Sequence, residues 1–322
     1  MTATLASQDP VLASFAEEVG DTDPIAVVGN KTRWQLGGAV DSTARLVSAP
    51  TGIVDYSPEE MTVTVRAGTT VAELHAELAS KGQRSALPDR VGPEGRGTVG
   101  GALAAGENDI RSLGRGMLRT SLLQIRYISA EGRLISSGGP TVKNVSGFDL
   151  PRLMVGSLGT LGLFAEAIIR TNPIPPVSRW LKSERCDPAA VSRTLLAPSA
   201  VLWDGTSTWV QLEGHKADVE DQQRALAPLG TFVEVPVAGD ELPVQLPSHR
   251  WSLAPSELAS LSSGGSHPIG NFVAAVGLGL AFGDTAQELR AMSPEVELVN
   301  KRVKENFDPT GRLNPGRNPG RK

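Results

Sequence analysis

The sequence predicts an α+β protein in two parts joined by a proline-rich linker. In the first half strands and helices do not alternate regularly, whereas the second half places single helices between short apolar strands. The linker is Asn172-Pro173-Ile174-Pro175-Pro176, whose prolines end the preceding strand and stiffen the connection. We therefore predict a first domain over residues 1–173, a short second domain over 177–292, and a C-terminal helix and tail over 293–322 that pack back on the first domain.

The first half contains apolar runs that are typical of strands. The apolar run Ile25–Val28 ends in a glycine turn, and Met61–Val65 alternates threonine with apolar residues. Thr70, with Glu73 three residues later, predicts a capped helix that ends near Gly82. Further strands are predicted at Leu123–Ser129, Arg133–Ser137 and Phe164–Thr171.

The second half predicts an antiparallel sheet backed by helices, of the ferredoxin-like kind. The predicted helices are Pro188–Ala197 and Lys216–Leu229, and the predicted strands are Ala200–Trp203, Trp209–Glu213, Phe232–Val235 and Phe272–Val276. A last helix should begin at Ser293-Pro294, because an N-cap followed by proline is a helix start. We expect it to present Val296, Val299 and Val303 to the core.

Composition excludes several classes of protein. A net charge of -4 without a basic run argues against a nucleic-acid partner. One cysteine, Cys186, cannot hold an iron–sulfur cluster or a cysteine-based zinc site, so we predict no metal site and a reducing, cytoplasmic setting. Residues 1–23 do not read as a signal peptide, and the apolar stretch Phe272–Phe282 is too short to span a membrane.

Familiar catalytic and nucleotide-binding motifs are missing from the sequence. It has no Gly-Lys dipeptide, hence no Walker A loop, and no Gly-x-Gly-x-x-Gly fingerprint follows a strand. The four histidines are scattered and form no metal or acid–base pattern. Because residues 179–268 also show no such constellation, we assign no catalytic residue.

Three glycine-rich loops in the first half stand out: Gly29–Thr32, Gly97–Gly101 and Gly156–Gly162. Glycine lets a backbone approach a ligand closely and lets several N–H groups converge, as a pyrophosphate requires. Each loop alone could be an ordinary tight turn. Three of them in one folding unit indicate a large extended ligand, for which a dinucleotide is the natural candidate.

Longer motifs around these loops carry a family resemblance. They are Val28–Thr32, Gly97–Gly101, the run Val142–Gly162, and the tail Phe307–Arg317 with its Asp-Pro…Asn-Pro-Gly-Arg pattern. About half the chain resembles the FAD-binding domain of the vanillyl-alcohol oxidase and p-cresol methylhydroxylase superfamily. Within it, the likeness is strongest to the FAD-binding accessory subunits of bacterial glycolate oxidases.

The resemblance implies a set of FAD-binding residues. They are Val28, Gly29, Asn30, Lys31, Thr32, Thr98, Gly100, Gly101, Lys143, Asn144, Ser146, Gly147, Asp149, Leu150, Gly156, Leu161 and Gly162. The first two loops would hold the pyrophosphate, the segment Val142–Leu150 would line the flavin and adenosine side, and Gly156–Gly162 would close the site. Alternatively, Lys143 and Asp149 form an ion pair that only shapes its loop.

Two departures from the family pattern modify this expectation. Members with covalent FAD carry a histidine near the first loop, but residues 29–33 are Gly, Asn, Lys, Thr and Arg, so we predict dissociable FAD. Arg119-Thr120 stands where related subunits commonly have Arg-Asp, so the resemblance implies no role for an acid at this position. Arg115 and Arg119, in the stretch before Leu122, are weaker site candidates that could be surface charges.

As a whole, the resemblance implies an FAD-binding subunit of an oxidase or dehydrogenase for small 2-hydroxy acids. Its partners would be a larger flavin subunit and an iron–sulfur subunit, through which it could lie at a membrane surface. Two alternatives stay open: a non-catalytic subunit that holds FAD for assembly or electron transfer, and a self-sufficient sugar or alditol oxidase.

Overall fold

The computed structural model describes residues 9–92, 94–140, 149–261, 268–288 and 292–320 of a protein that forms two compact units. Unit 1 comprises Met1–Asp109, Met117–Pro173 and Leu289–Lys322. Unit 2 comprises Ile174–Glu288 together with the short segment Ile110–Gly116. In the described ranges no helix is long and apolar enough to cross a bilayer, and no three His, Cys, Asp or Glu side chains cluster as metal ligands do.

Short strands and helices make up both units. The strands of unit 1 are β1 (Ile25–Val27), β2 (Arg45–Val47), β3 (Ile53–Ser57), β4 (Thr62–Arg66), β5 (Gln83–Arg84), β6 (Val91–Gly92), β7 (Gly95–Arg96), β8 (Leu122–Ile128), β9 (Leu134–Gly138), β10 (Leu163–Arg170) and β11 (Asn172–Pro173). Those of unit 2 are β12 (Val177–Glu184), β13 (Ala200–Trp203), β14 (Ser207–Gly214), β15 (Val233–Val235), β16 (His249–Ser252), β17 (Phe272–Ala275) and β18 (Leu280–Gly283). The helices are α1 (Pro10–Val19), α2 (Val71–Ser80), α3 (Val99–Ala105), α4 (Ser112–Arg115), α5 (Leu118–Ser121), α6 (Leu150–Met154), α7 (Pro188–Thr194), α8 (Lys216–Leu226), α9 (Pro255–Ser260) and α10 (Pro294–Phe307), of which α4 and α7 to α9 belong to unit 2.

Unit 1 is built on an antiparallel sheet in the order β3-β4-β10-β8-β9. Its apolar side chains join those of α1, α2 and α3 in one core, where Leu74, Leu103, Ile125 and Leu163 are fully or almost fully buried. A smaller parallel sheet, β1-β2, is extended by the tail, because Ile25 forms a parallel bridge with Leu313. Residues far apart in sequence thus meet beside β1.

Helix starts follow the signals in the sequence. The predicted capping box is confirmed: the hydroxyl of Thr70 accepts from the N–H of Glu73, whose carboxylate accepts from the N–H of Thr70. Ser293 caps α10 as expected. The predicted orientation of α10 was wrong at two positions, since Val296 and Val299 are 49% and 57% exposed and only the C-terminal half of the helix, at Val303 and Phe307, packs on the core.

Unit 2 is a seven-stranded antiparallel sheet in the order β15-β12-β14-β13-β17-β18-β16. Helices α7 and α8 pack against β13, β12 and β14, which confirms the predicted sheet backed by helices. Arg111 anchors the segment Ile110–Gly116 in this unit, because its Nε donates to Gln211 at 3.0 Å and its Nη2 donates to the carbonyl oxygen of Asp240 at 2.8 Å.

Candidate functional site

A cavity of about 320 Å³ lies in unit 1, beside the C-terminal end of β1. That volume is at the lower end of the range for small-molecule sites. The cavity is lined by Val27, Val28, Gly29, Asn30, Lys31, Thr32, Arg33, Trp34, Leu36, Ser48, Ala49, Thr51, Ala67, Gly68, Thr98, Gly100, Gly101, Ala104, Ala105, Leu158, Gly159, Leu163, Phe164, Asn314 and Arg317. Among these described lining residues Lys31, Arg33 and Arg317 are cationic and none is acidic, so the cavity favours an anionic ligand with an apolar portion.

The first glycine-rich loop offers the cavity a row of backbone donors. Within the described residues, no hydrogen bond uses the backbone N–H groups of positions 29–33. Lys31 has a φ of 49°, the left-handed conformation that turns successive N–H groups toward one side. Unpaired amides in such a nest bind phosphate or carboxylate oxygens, so this loop fits a pyrophosphate.

The side chains of the first loop have a different task from its backbone. Asn30 donates from Nδ2 to the carbonyl oxygen of Arg96 at 2.7 Å, and Lys31 Nζ lies 2.8 Å from the Glu94 carboxylate. Both acceptors belong to the hairpin formed by β6 and β7. Because the Lys31–Glu94 pair is well exposed, it contributes little energy and mainly fixes the loop to the hairpin.

The second glycine-rich loop supplies a wall instead of donors. Thr98 caps α3, its hydroxyl accepting from Gly101 N at 3.1 Å, while Val99 N donates to Thr69 O and Gly100 N to Ala67 O. The first amides of this helix are therefore already paired inside the protein. Glycine is needed because a Cβ on Gly100 would lie 2.9 Å from the Ala67 Cβ, and one on Gly29 would lie 2.8 Å from the Thr98 hydroxyl.

The third glycine-rich loop lies across α3. Gly156 N donates to Leu103 O and Leu158 N to Ala104 O, both at 2.9 Å. Leu158 and Gly159 line the cavity, whereas Gly156, Leu161 and Gly162 do not line it. Gly162 has a packing role, since a Cβ there would overlap the Tyr127 ring. The structure thus brings the middle of this loop to the site and uses its two ends to position it.

The C-terminal tail completes the cavity. Arg317 donates to the carbonyl oxygens of Leu36 and Gly38 at 2.6 and 2.5 Å, and its guanidinium lies 4.8 Å from the centre of the Trp34 ring. Burial lowers the pKa of Arg317, but three such contacts keep the cation in place. Asn314 donates to Gly159 O at 3.0 Å, which links the tail to the third loop.

Part of the predicted flavin segment lies outside the described residues: Lys143, Asn144, Ser146 and Gly147. Asp149 and Leu150 are described at the start of α6 and do not line the cavity. Asp149 caps this helix by accepting from Arg152 N at 3.2 Å, and its carboxylate lies 3.0 Å from Arg152 Nε. Among the described residues, Asp149 therefore pairs with a neighbour on its own helix.

The two arginines singled out as weaker candidates are placed differently. Arg115 belongs to unit 2, is 7% exposed, and lies 2.6 Å from the Asp240 carboxylate, so it is a buried ion-pair partner and not a surface charge. Arg119 is exposed in unit 1, where its Nη2 lies 3.4 Å from Val155 O. Neither lines the cavity.

Sequence reasoning did not select several lining residues: Arg33, Trp34, Ser48, Thr51, Ala67, Gly68, Phe164, Asn314 and Arg317. For six of them a signal was present in the sequence. Arg33 and Trp34 directly follow the first glycine-rich loop, Ala67 and Gly68 lie just after the predicted strand at Met61–Val65, and Asn314 and Arg317 belong to the tail motif. Ser48, Thr51 and Phe164 reach the site through contacts between distant segments, which local patterns do not encode.

Comparison with known proteins agrees with this geometry. A family model described as FAD binding domain matches residues 4–138. Two crystal forms of alkyldihydroxyacetonephosphate synthase superpose on 95% of this chain. The first has a TM-score of 0.66 at 14% identity and is covered to 74% of its own length. The second has a TM-score of 0.67 at 15% identity and is covered to 72%. Residues 4–138 thus match an FAD-binding domain, the superpositions show a fold shared with that synthase, and the chain is similar to FAD-dependent oxidoreductases.

The likeness to one relative extends over the whole chain. The glycolate oxidase subunit GlcE of Escherichia coli (strain K12) is 28% identical over 95% of this chain and 96% of its own length. The glycolate oxidase subunit GlcD of Bacillus subtilis (strain 168) is 33% identical over 43% of this chain and 29% of its own length. The D-lactate dehydrogenase of Archaeoglobus fulgidus is 37% identical over 51% of this chain and 38% of its own length. Among these relatives, the chain therefore matches GlcE from end to end and the other two only in part.

Proposed function

We propose that this chain is the FAD-binding subunit of a multi-subunit oxidase or dehydrogenase that acts on small 2-hydroxy acids of the glycolate type. The observation that carries the proposal is the match to GlcE across 96% of that subunit's length. A match confined to the FAD-binding domain would indicate only the cofactor, whereas an end-to-end match includes the second unit as well.

The proposed assembly follows from the same relatives. GlcE and GlcD are both named as subunits of a glycolate oxidase, and the match covers only 29% of GlcD, which is thus a longer protein. We propose a larger flavin subunit of this kind and an iron–sulfur subunit as partners. The single cysteine of this chain fits a cytoplasmic enzyme whose iron–sulfur centre and any membrane contact belong to its partners.

Within that enzyme, residues 1–173 and the tail 293–322 would form the FAD-binding domain, and residues 177–292 would form the cap. Bound FAD would supply the hydride and electron chemistry. The chain's own part would be to bind the FAD pyrophosphate at the unpaired N–H groups of residues 29–33, with Gly29, Gly100 and Gly101 lining the cavity beside it. The segment Val142–Leu150 would line the flavin and adenosine side.

We further propose that FAD is held without a covalent bond. None of the described residues that line the cavity is His or Cys, the side chains that the covalent members of this superfamily use near the first loop. Precipitating the FAD-loaded protein with acid should therefore release all of the flavin into the supernatant. Yellow colour that stays with the washed pellet would contradict this proposal.

A second candidate, a subunit that holds FAD for electron transfer without oxidising substrate, is favoured by one observation. The D-lactate dehydrogenase of Archaeoglobus fulgidus matches only about half of this chain, so its substrate-binding part need not have a counterpart here. Anaerobic addition of glycolate or D-lactate to the FAD-loaded protein, alone and with its partners, separates the two. Bleaching of the flavin band near about 450 nm by the isolated protein supports the first candidate. Bleaching only in the complex supports the second, and no bleaching in either sample overturns both.

A further inference from the structure

A small side pocket opens beside the main cavity. It is lined by Thr32, Arg33, Pro88, Arg90, Gly97, Thr98, Gly101, Ala102, Ala105 and Glu107. Five of these residues, Thr32, Arg33, Thr98, Gly101 and Ala105, also line the main cavity, so the two spaces adjoin each other. The side pocket has a volume of about 10 Å³, which is room for one oxygen-sized group.

Arg90 lines this side pocket with hydrogen-bond donors that have no acceptor in the described part of the chain. Its Nε and Nη2 atoms are buried and have no hydrogen-bond partner among the residues that the structure describes. The neighbouring cation is already engaged, because Arg33 Nε lies 2.6 Å from the Glu107 carboxylate and Arg33 Nη1 donates to Thr32 O at 2.9 Å. Burial and the nearby Arg33 lower the pKa of Arg90, while Glu107 and Asp109 oppose this shift. A charged group with unused donors therefore stands at the edge of the cavity.

Buried guanidinium N–H groups without hydrogen-bond acceptors, such as those at Nε and Nη2 of Arg90, are unfavourable for the protein alone. The penalty is relieved when an anionic oxygen accepts from the unused N–H groups, since charge-assisted hydrogen bonds are the strong ones. The side pocket has the size for one such oxygen. It also shares Thr32 and Arg33 with the loop whose amides at residues 29–33 are unpaired, so one anionic ligand could reach both sets of donors.

We infer that Arg90 binds an anionic oxygen of the ligand in the main cavity, either a phosphoryl oxygen of FAD or a carboxylate oxygen of the acid substrate. The phosphoryl source rests only on FAD binding, whereas the carboxylate source rests on the proposed function. Arg90 would then be a binding residue whose free N–H groups donate to the ligand, and in the protein without ligand the Nε and Nη2 donors would lack an acceptor among the described residues.

The test uses the full-length protein with Arg90→Gln and Arg90→Lys. The control is Arg96→Gln, which removes a half-exposed arginine on the adjacent hairpin that pairs with Asp89 and lines neither space. FAD affinity is measured by flavin fluorescence. Loss of a charge-assisted hydrogen bond to a phosphoryl oxygen should weaken FAD binding of Arg90→Gln by about tenfold or more, with partial recovery in Arg90→Lys.

A second arm tests the carboxylate source. Oxalate, a carboxylate that the flavin cannot oxidise to product, is titrated into the FAD-loaded protein while the flavin absorption spectrum is recorded. If the oxygen comes from a carboxylate, Arg90→Gln keeps its FAD affinity but needs about tenfold more oxalate for the same spectral change. This arm can succeed even if glycolate fails to reduce the flavin, which separates it from the failure of the proposed function.

Urea unfolding of the protein without FAD supplies the third readout. A ligand-binding role predicts that Arg90→Gln is at least as stable as the wild type without FAD, because the change removes a cation with unused donors. If Arg90→Gln instead lowers the urea midpoint equally with and without FAD, and leaves both FAD and oxalate titrations unchanged, Arg90 is a structural residue or holds only a water molecule. That result would overturn the inference.

Discussion

The side-chain amide of Asn314 donates a hydrogen bond of 3.0 Å to the carbonyl oxygen of Gly159, which joins the C-terminal tail to the third glycine-rich loop. Both residues line the cavity. Asn314 has a φ of 43°, a conformation that asparagine tolerates better than most residues, and Gly159 has a φ of 69°. The site therefore depends on a hydrogen bond between two residues in the left-handed backbone conformation that lie 155 positions apart in the sequence.

Replacement of Asn314 should measure this link. Asn314→Ala leaves the buried carbonyl of Gly159 without its donor and places alanine in the left-handed region, so we expect the free energy of unfolding to fall by about 2 kcal/mol. Asn314→Gly removes the same bond without the conformational strain and should cost less. Urea denaturation of the three proteins decides the point, and equal stability of all three would show that the bond contributes nothing.

Much of unit 1 could be predicted because its signals are local. The capping box at Thr70 and Glu73 and the cap at Ser293 depend on residues within one helical turn. The different roles of the glycine-rich loops could not be predicted in this way. Gly100 N is paired because Ala67 O, from a separate segment, lies 2.7 Å away, and no local pattern contains that distance.

The tail illustrates the same limit. Its motif indicated that Asn314 and Arg317 belong to a family pattern, but it did not predict which atoms they bind. Arg317 reaches carbonyl groups at Leu36 and Gly38, which lie 281 and 279 positions earlier. Such contacts are set by the parallel bridge between Ile25 and Leu313, a tertiary pairing that appears only once the protein is folded.

Gly29→Ala should impair FAD binding more than folding. The added Cβ would lie 2.8 Å from the Thr98 hydroxyl, which is itself held as the cap of α3. The first loop must then shift away from the cavity wall, and we expect FAD to bind about tenfold more weakly, or about 1.4 kcal/mol. Fluorescence titration with FAD gives the affinity.

Gly139→Ala is the matched control, because Gly139 has no positive φ and a Cβ there would meet no atom of the described residues within 4 Å. It should bind FAD as the wild type does. If both variants bind FAD equally well, the close approach of Gly29 and Thr98 is not part of the site.

The capping box makes a defined contribution to the pH dependence of stability. Hydrogen bonds from the Thr70 hydroxyl and backbone N–H lower the pKa of Glu73 below its ordinary value of 4.5. The stabilisation is therefore fully present above that value and is lost as pH falls through the lowered pKa. Because Glu73 is exposed, we expect a contribution below about 1 kcal/mol.

Glu73→Gln keeps an acceptor for the box but cannot titrate. Its urea midpoint should depend less on pH between about pH 3 and pH 5 than that of the wild type. Glu77→Gln, on the same helix, makes an equal change of charge outside the box and serves as the control. Identical pH profiles of the urea midpoint for both variants would show that the capping box does not contribute to the pH dependence of stability.

The two ends of α10 should respond differently to the same substitution. Val299 is 57% exposed, whereas Val303 is partly buried against the core of unit 1. Valine and threonine have nearly the same shape and helix propensity, so Val299→Thr should change the free energy of unfolding by less than about 0.5 kcal/mol. Val303→Thr places a hydroxyl against apolar neighbours and should cost about 1 kcal/mol or more. Urea denaturation compares the pair directly. Equal losses would mean that Val299 is also packed, as its spacing in the sequence suggests, and that the N-terminal half of α10 lies closer to the core than the structure has it.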